Sequence, residues 1–240
     1  TFPLSLLETE KSGPWRMREV GGLFRQCFPL FSTLFLFNLI ESCPKFAMES
    51  MMGYDAQLYF SALCFPVQAI LLAVGFVYKP QLLRLANIWS NPRRRRRFDL
   101  IMLAVLAVVV VLTLAVIAFM GWIGIGIMSF MYGIDFTEYR MLAFLMVAAG
   151  GLTAAIDFLY QIITVLRHQD LATKPYLISF GAAIVLSIVL VRIFGLLGAV
   201  LSYLAVMALL LVLLTMQYVR IRGIISRTTG DPFARRPHYK

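Results

Sequence analysis

The sequence predicts an all-α integral membrane protein with six transmembrane helices, and three observations carry that expectation. Of 240 residues, 60% are hydrophobic and only 14% charged, with a mean hydropathy of +0.82, far from the balance of a soluble domain. Six apolar stretches each reach the ~20 residues a helix needs to cross a hydrocarbon core about 30 Å thick. With those spans drawn, all but three of the 22 lysines and arginines fall on one side, as the positive-inside bias requires.

Residues 1–27 read as a cytoplasmic linker. The chain opens on Thr1 rather than methionine, and residues 1–13 lack the basic and apolar regions of a signal peptide, so Thr1 is either a native start or a fragment boundary. Residues 14–27 alternate Arg16, Arg18 and Arg25 with Trp15, Met17, Val20, Leu23 and Phe24, the mixture of a helix lying at a membrane surface. Gly21 and Gly22 fit a plain linker equally well.

The six-helix region is 28–220. Its first span is placed at 28–51 and its second at 58–83, with Pro66 inside it. The third, 100–122, has no charge and is rich in Leu, Val and Ala, which suits a lipid-facing helix. Residues 123–138 are apolar but interrupted by Gly124, Gly126 and Gly133, so a short surface or partly re-entrant segment is expected there. The fourth span covers 139–166, and the fifth and sixth, 175–191 and 195–219, are joined by a turn at Arg192, Ile193 and Phe194. Residues 221–240 form a basic cytoplasmic tail, expected to be disordered after Gly230-Asp231-Pro232.

Charge placement sets orientation. Lys11, Arg16, Arg18 and Arg25 precede span one, Lys79, Arg84 and Arg93 to Arg97 follow span two, Arg167 and Lys174 follow span four, and the remainder follow span six. Both termini are therefore expected in the cytoplasm. Arg93, Arg94, Arg95, Arg96 and Arg97 read first as a topology determinant and anionic-lipid contact; a sharper reading has them attract an anionic lipid substrate. The net charge of +10 is absorbed by this pattern, so no nucleic-acid partner is expected. No cofactor is expected either: Cys27, Cys43 and Cys64 have no metal-like spacing and read as small hydrophobes, and His168 and His238 have no companion ligands.

Within the spans, the polar residues stand out. Glu41, Lys45 and Glu49 recur every four residues beside Pro44, which puts three charges on one helical face. Such charges are costly in a bilayer and face one another or a water-filled cavity. In one reading the glutamates pair with Lys45 in a sealed structural site. In the other, Lys45 presents its ammonium to a phosphate or pyrophosphate in a cavity, and the glutamates position it or exchange protons. Water accessibility of a cysteine at Ala47 or Met48 would separate the two. Pro44 removes a helix hydrogen bond and is expected to kink or break the span. Asp157, with Gln161 one turn on and Tyr160 beside it, either makes an interhelical hydrogen bond or lines the cavity. No phosphate loop, HExxH, GxSxG or CxxC is present, so an enzyme is not expected.

These residues carry a resemblance. CFPLF at 27–31, PKFAME at 44–49 and MGYDAQLYF at 52–60 resemble the seventh helix and following turn of bacterial polysaccharide exporters, the Wzx-type oligosaccharide flippases of the multidrug/oligosaccharidyl-lipid/polysaccharide superfamily. Pro66 and Lys79-Pro80 are similar as well; Glu49 stands where aspartate is commoner. The resemblance is sharpest over residues 24–90. It implies one lobe of a MATE/flippase-like two-lobe transporter, here the C-terminal half, with an N-terminal lobe supplying the opposing cavity wall. It further implies flipping of an isoprenoid-pyrophosphate-linked oligosaccharide across the bacterial inner membrane for surface polysaccharide synthesis. Lys45 would engage the pyrophosphate, Glu41 and Glu49 would set its charge, and Asp157, Gln161 and Tyr160 would contact sugar or link protons to opening. A polysaccharide polymerase or glycosyltransferases are the expected protein partners. Alternative readings are a drug/cation antiporter of the same superfamily, a non-transporting scaffold of the assembly complex, and an intramembrane glycosyltransferase.

Overall fold

A computed structural model describes residues 17–89, 95–133, 135–165 and 169–230, with side chains over 28–53, 56–82, 98, 100–133, 135–165 and 173–221. Among them the backbone is helical apart from short turns. The helices are α1 (Met17–Met52), α2 (Tyr54–Trp89), α3 (Arg95–Phe119), α4 (Ile125–Tyr132), α5 (Arg140–Val165), α6 (Gln169–Phe194) and α7 (Leu196–Gly230), with a π-helical turn (Met120–Gly124) between α3 and α4. Among the described residues five stretches are long and apolar enough to cross a membrane: one each in α2, α5, α6 and α7, and one running from α3 into α4. At 1.5 Å per residue, the 36-residue α1 is about 54 Å long, ample for a sixth crossing. Its charges are what hold its hydropathy down.

Several expected boundaries move. The helix of the first span starts at Met17 rather than 28, so the stretch bearing Arg18 and Arg25 belongs to the same helix, while Lys11 and Arg16 lie outside the described residues. It also runs through Pro29 and Pro44 without a break: proline costs one hydrogen bond, but flanking turns of so long a helix hold the geometry. The third span does not end at 122 in a re-entrant segment. It continues through the π turn to Tyr132 and stops at Gly133, whose φ of +65° ends the helix in the left-handed conformation glycine tolerates. A π turn leaves a carbonyl spare; Arg140 Nη2 donates to Gly121 O at 3.0 Å, and its guanidinium lies 5.6 Å over the Phe144 ring. The α6–α7 turn is Gly195 alone, at φ +58°, not Arg192 to Phe194, which complete α6. Arg93, Arg94, Arg167, His168, His238 and the tail from 231 lie outside the described residues.

The bundle is two groups of three helices. α1, α6 and α7 pack together, as do α2, α3 and α5, and the groups meet along α5–α7 and α1–α2. α5 is the most enclosed helix. Its Gly150-Gly151 pair allows the close approach: a Cβ on Gly150 would stand 3.2 Å from the Val67 backbone of α2, and one on Gly151 would collide with Thr113 of α3. The α3–α4 rod is the opposite case, with most of its apolar side chains exposed.

Candidate functional site

The site begins with one face of α1. Asn38, Ser42, Lys45 and Glu49 follow one another at helical spacing, Asn38 and Glu49 exposed, Ser42 and Lys45 half-buried. Successive steps of four, three and four residues keep them in one stripe. α2 carries a matching stripe: Gln57, Ser61, Cys64, Gln68 and Lys79, of which Ser61, Gln68 and Lys79 are exposed. The two stripes meet at Cys64, whose thiol lies within the electrostatic reach of both Lys45 and Glu41. Beside this polar strip on α2, Leu58, Phe65 and Phe76 form an exposed apolar strip.

Glu41 sits at the inner edge of the α1 stripe. Tyr203 of α7, only 5% exposed, donates to Glu41 Oε1 at 3.3 Å, and its hydroxyl also lies 3.2 Å from Thr153 Oγ1 of α5. Thr153 in turn donates to Ala149 O at 2.9 Å, so one polar chain ties α5, α7 and α1. Lys45 and Asp157 both act on the Glu41 charge. Among the described residues no ion pair joins Lys45 to Glu41 or Glu49. Glu49, two turns beyond Glu41 and exposed, stands apart from this chain.

Asp157 is half-buried on α5. Its partner is the hydroxyl of Tyr78 on α2, not Gln161, which is half-buried and makes no hydrogen bond to the described residues. Tyr160 is buried, its hydroxyl has no hydrogen-bond partner among them, and its ring meets Tyr176 of α6 edge-on at 5.8 Å. Thr33 and Thr173 close α1 on α6 nearby, 3.4 Å apart.

The structure thus gathers Glu41, Lys45 and Asp157, and leaves Glu49 and Gln161 on the margins. Sequence reasoning missed Tyr203, Tyr78 and Thr153, which reach the site only through packing. It also read Cys64 as a plain hydrophobe; the spacing of Gln57, Ser61, Cys64 and Gln68 was the available signal for a polar face. Ala47 and Met48, the positions a probing cysteine was to occupy, are 6% and 0% exposed, since they lie on the core side of α1. Among the described residues no group of three or more His, Cys, Asp and Glu could hold a metal ion. No family model matches the chain, and neither a curated protein nor a solved structure does.

Proposed function

We propose that this chain forms one lobe of an alternating-access transporter that flips an isoprenoid-pyrophosphate-linked oligosaccharide from the inner to the outer leaflet of the bacterial cytoplasmic membrane. The observation that carries the reading is the pair of exposed polar stripes on α1 and α2. A surface bearing Lys45, Glu49, Gln68 and Lys79 is costly against lipid, because each polar group there loses its water partners. Such a surface on helices of bilayer length suits one wall of a water-filled cavity, closed by a second lobe.

Lys45 gives that wall its preference. An ammonium on the cavity wall attracts the pyrophosphate and repels cationic drugs, which favours the flippase over the antiporter. Glu41, fixed by Tyr203, sets the field at Lys45, and Asp157 couples to it from α5. Gln57, Ser61 and Gln68 offer donors and acceptors to sugar hydroxyls along the same wall. Sugar export by cells carrying the full-length protein tests this: Lys45→Ala should abolish it and Lys45→Arg should retain a part. Unchanged export in Lys45→Ala would overturn the role of Lys45.

A further inference from the structure

We infer that Lys79 of α2, seated in the gap left by Gly75, is a second station for the anionic head of the lipid substrate, inward of Lys45 on the same wall; this rests on the reading of that wall just given. Cys64 marks the level of Lys45 on α2. Gly75 follows Cys64 by 11 residues, which at 1.5 Å per residue sets the two stations about 16 Å apart.

The seat is visible in the packing. A Cβ on Gly75 would stand 3.5 Å from Lys79 Cε and 3.7 Å from Nζ; apart from its chain neighbours, no other side chain among the described residues would come within 4 Å. Gly75 is buried although Leu72 and Phe76 beside it are 65% and 80% exposed, because the lysine chain lies over it. Side chains of a helix lean toward its N-terminus. In the orientation that the basic residues set, α2 starts at the outer end, so the Lys79 ammonium is carried one turn away from the cytoplasm. A lysine three residues from the end of the apolar stretch Ala56–Leu82 ordinarily reaches the other way, to interfacial water. An ammonium drawn deeper is costly unless water or an anion meets it there.

The chemistry of the station follows from its surroundings. Among the described residues nothing forms a hydrogen bond or an ion pair with Lys79. Asp157, which reaches α2 one residue away, accepts from Tyr78 instead. A compact ammonium with three donors suits phosphate oxygens. Lys79 continues the stripe of Gln57, Ser61, Cys64 and Gln68, so a pyrophosphate entering from the inner leaflet meets it first and then moves past Gln68 to Lys45. Gly75 has its own part: any larger side chain there lifts the lysine off the wall.

The test uses the full-length protein in phosphatidylcholine nanodiscs containing a minor share of polyprenyl pyrophosphate, with native mass spectra reading the lipid retained. Lys45→Ala isolates the inner station. In that background we expect Lys79→Gln to lower retention about tenfold, the size of one lost charge-assisted hydrogen bond. Gly75→Val should lower it as far with the lysine still present, because its methyls take the seat. Gly75→Ala, whose Cβ stands at ordinary contact distance, should leave it unchanged. A lysine that serves only topology keeps its effect in Gly75→Val, so loss in Lys79→Gln with full retention in Gly75→Val overturns the proposal. Retention that Lys79→Gln leaves unaltered, or that Lys45→Ala alone abolishes, overturns it as well. Full retention in Lys45→Ala that still depends on Lys79 keeps the station and overturns the role of Lys45. Phosphatidylglycerol at the same share separates the sources of phosphate: retention equal to that of the polyprenyl lipid and equally dependent on Lys79 marks an ordinary headgroup contact and overturns the assignment to substrate. Gly75→Leu serves where Gly75→Val fails to fold.

Discussion

Tyr203 of α7 donates its phenolic hydrogen to Glu41 of α1 at 3.3 Å, fixing the innermost charge of the polar face from a helix more than 150 residues away in sequence. Tyr203→Phe removes that donor and leaves the Glu41 carboxylate short of a partner. The expected loss is about 0.6 kcal/mol and at most about 1.7 kcal/mol, the span measured for interhelical hydrogen bonds in membranes. Unfolding by steric trapping in bicelles measures it, and the double variant with Glu41→Ala should cost little more than Glu41→Ala alone.

The second link is Tyr78 to Asp157. Tyr78→Phe strands a half-buried carboxylate and should cost about 1–3 kcal/mol. Asp157→Asn keeps an acceptor for Tyr78 and should cost less. The order of the two melting temperatures in detergent is the check; an unchanged melting temperature in Tyr78→Phe would mean that the bond contributes nothing.

Close packing of α5 gives a third expectation. Gly150→Ala places a methyl 3.1 Å from both Val67 methyls and 3.2 Å from its Cα, an overpacking worth about 1–3 kcal/mol. Val67→Ala in the same chain clears the methyls but not the backbone, so it should restore only part of the melting temperature.

The helices were legible in the sequence because each is a long apolar run, and the turn at Gly53 because it falls between the first two runs; the stop at Gly133, where φ is positive, could not be told from Gly124 and Gly126. The charged face was legible because 41, 45 and 49 repeat at helical spacing. What hid the rest was context. Gly124 and Gly126 read as breakers, yet a helix whose exposed apolar face suits lipid has no competing partner for its backbone, and it carried on through a π turn braced by Arg140. Tyr203, Tyr78 and Thr153 are ordinary aromatic and hydroxyl residues in apolar runs; only the α5–α7 and α2–α5 contacts bring them to Glu41 and Asp157.

The α4–α5 turn has its own pH response. Thr137 donates through both its hydroxyl and its N–H to Asp135 Oδ1, which holds the carboxyl below the ordinary aspartate value of 3.8. A depressed folded-state pKa stabilises the turn above the unfolded value, and that contribution is lost as pH falls through the folded one. Carboxyl-carbon NMR of Asp135 should give a midpoint under 3.8, rising toward that value in Thr137→Val, which removes the hydroxyl donor.

The most direct test of the polar wall is cysteine labelling in intact membranes of the full-length protein, stripped of native cysteines, with a charged, membrane-impermeant maleimide applied to both faces. Single cysteines at Ser42, Ser61 and Gln68 report the polar stripes; cysteines at Phe65 and Phe76 report the apolar strip beside them on α2. Labelling of the first three and protection of the last two is the expected result. Protection of all five would place the stripes against lipid or a sealed helix interface, and would contradict the cavity on which the flippase reading depends.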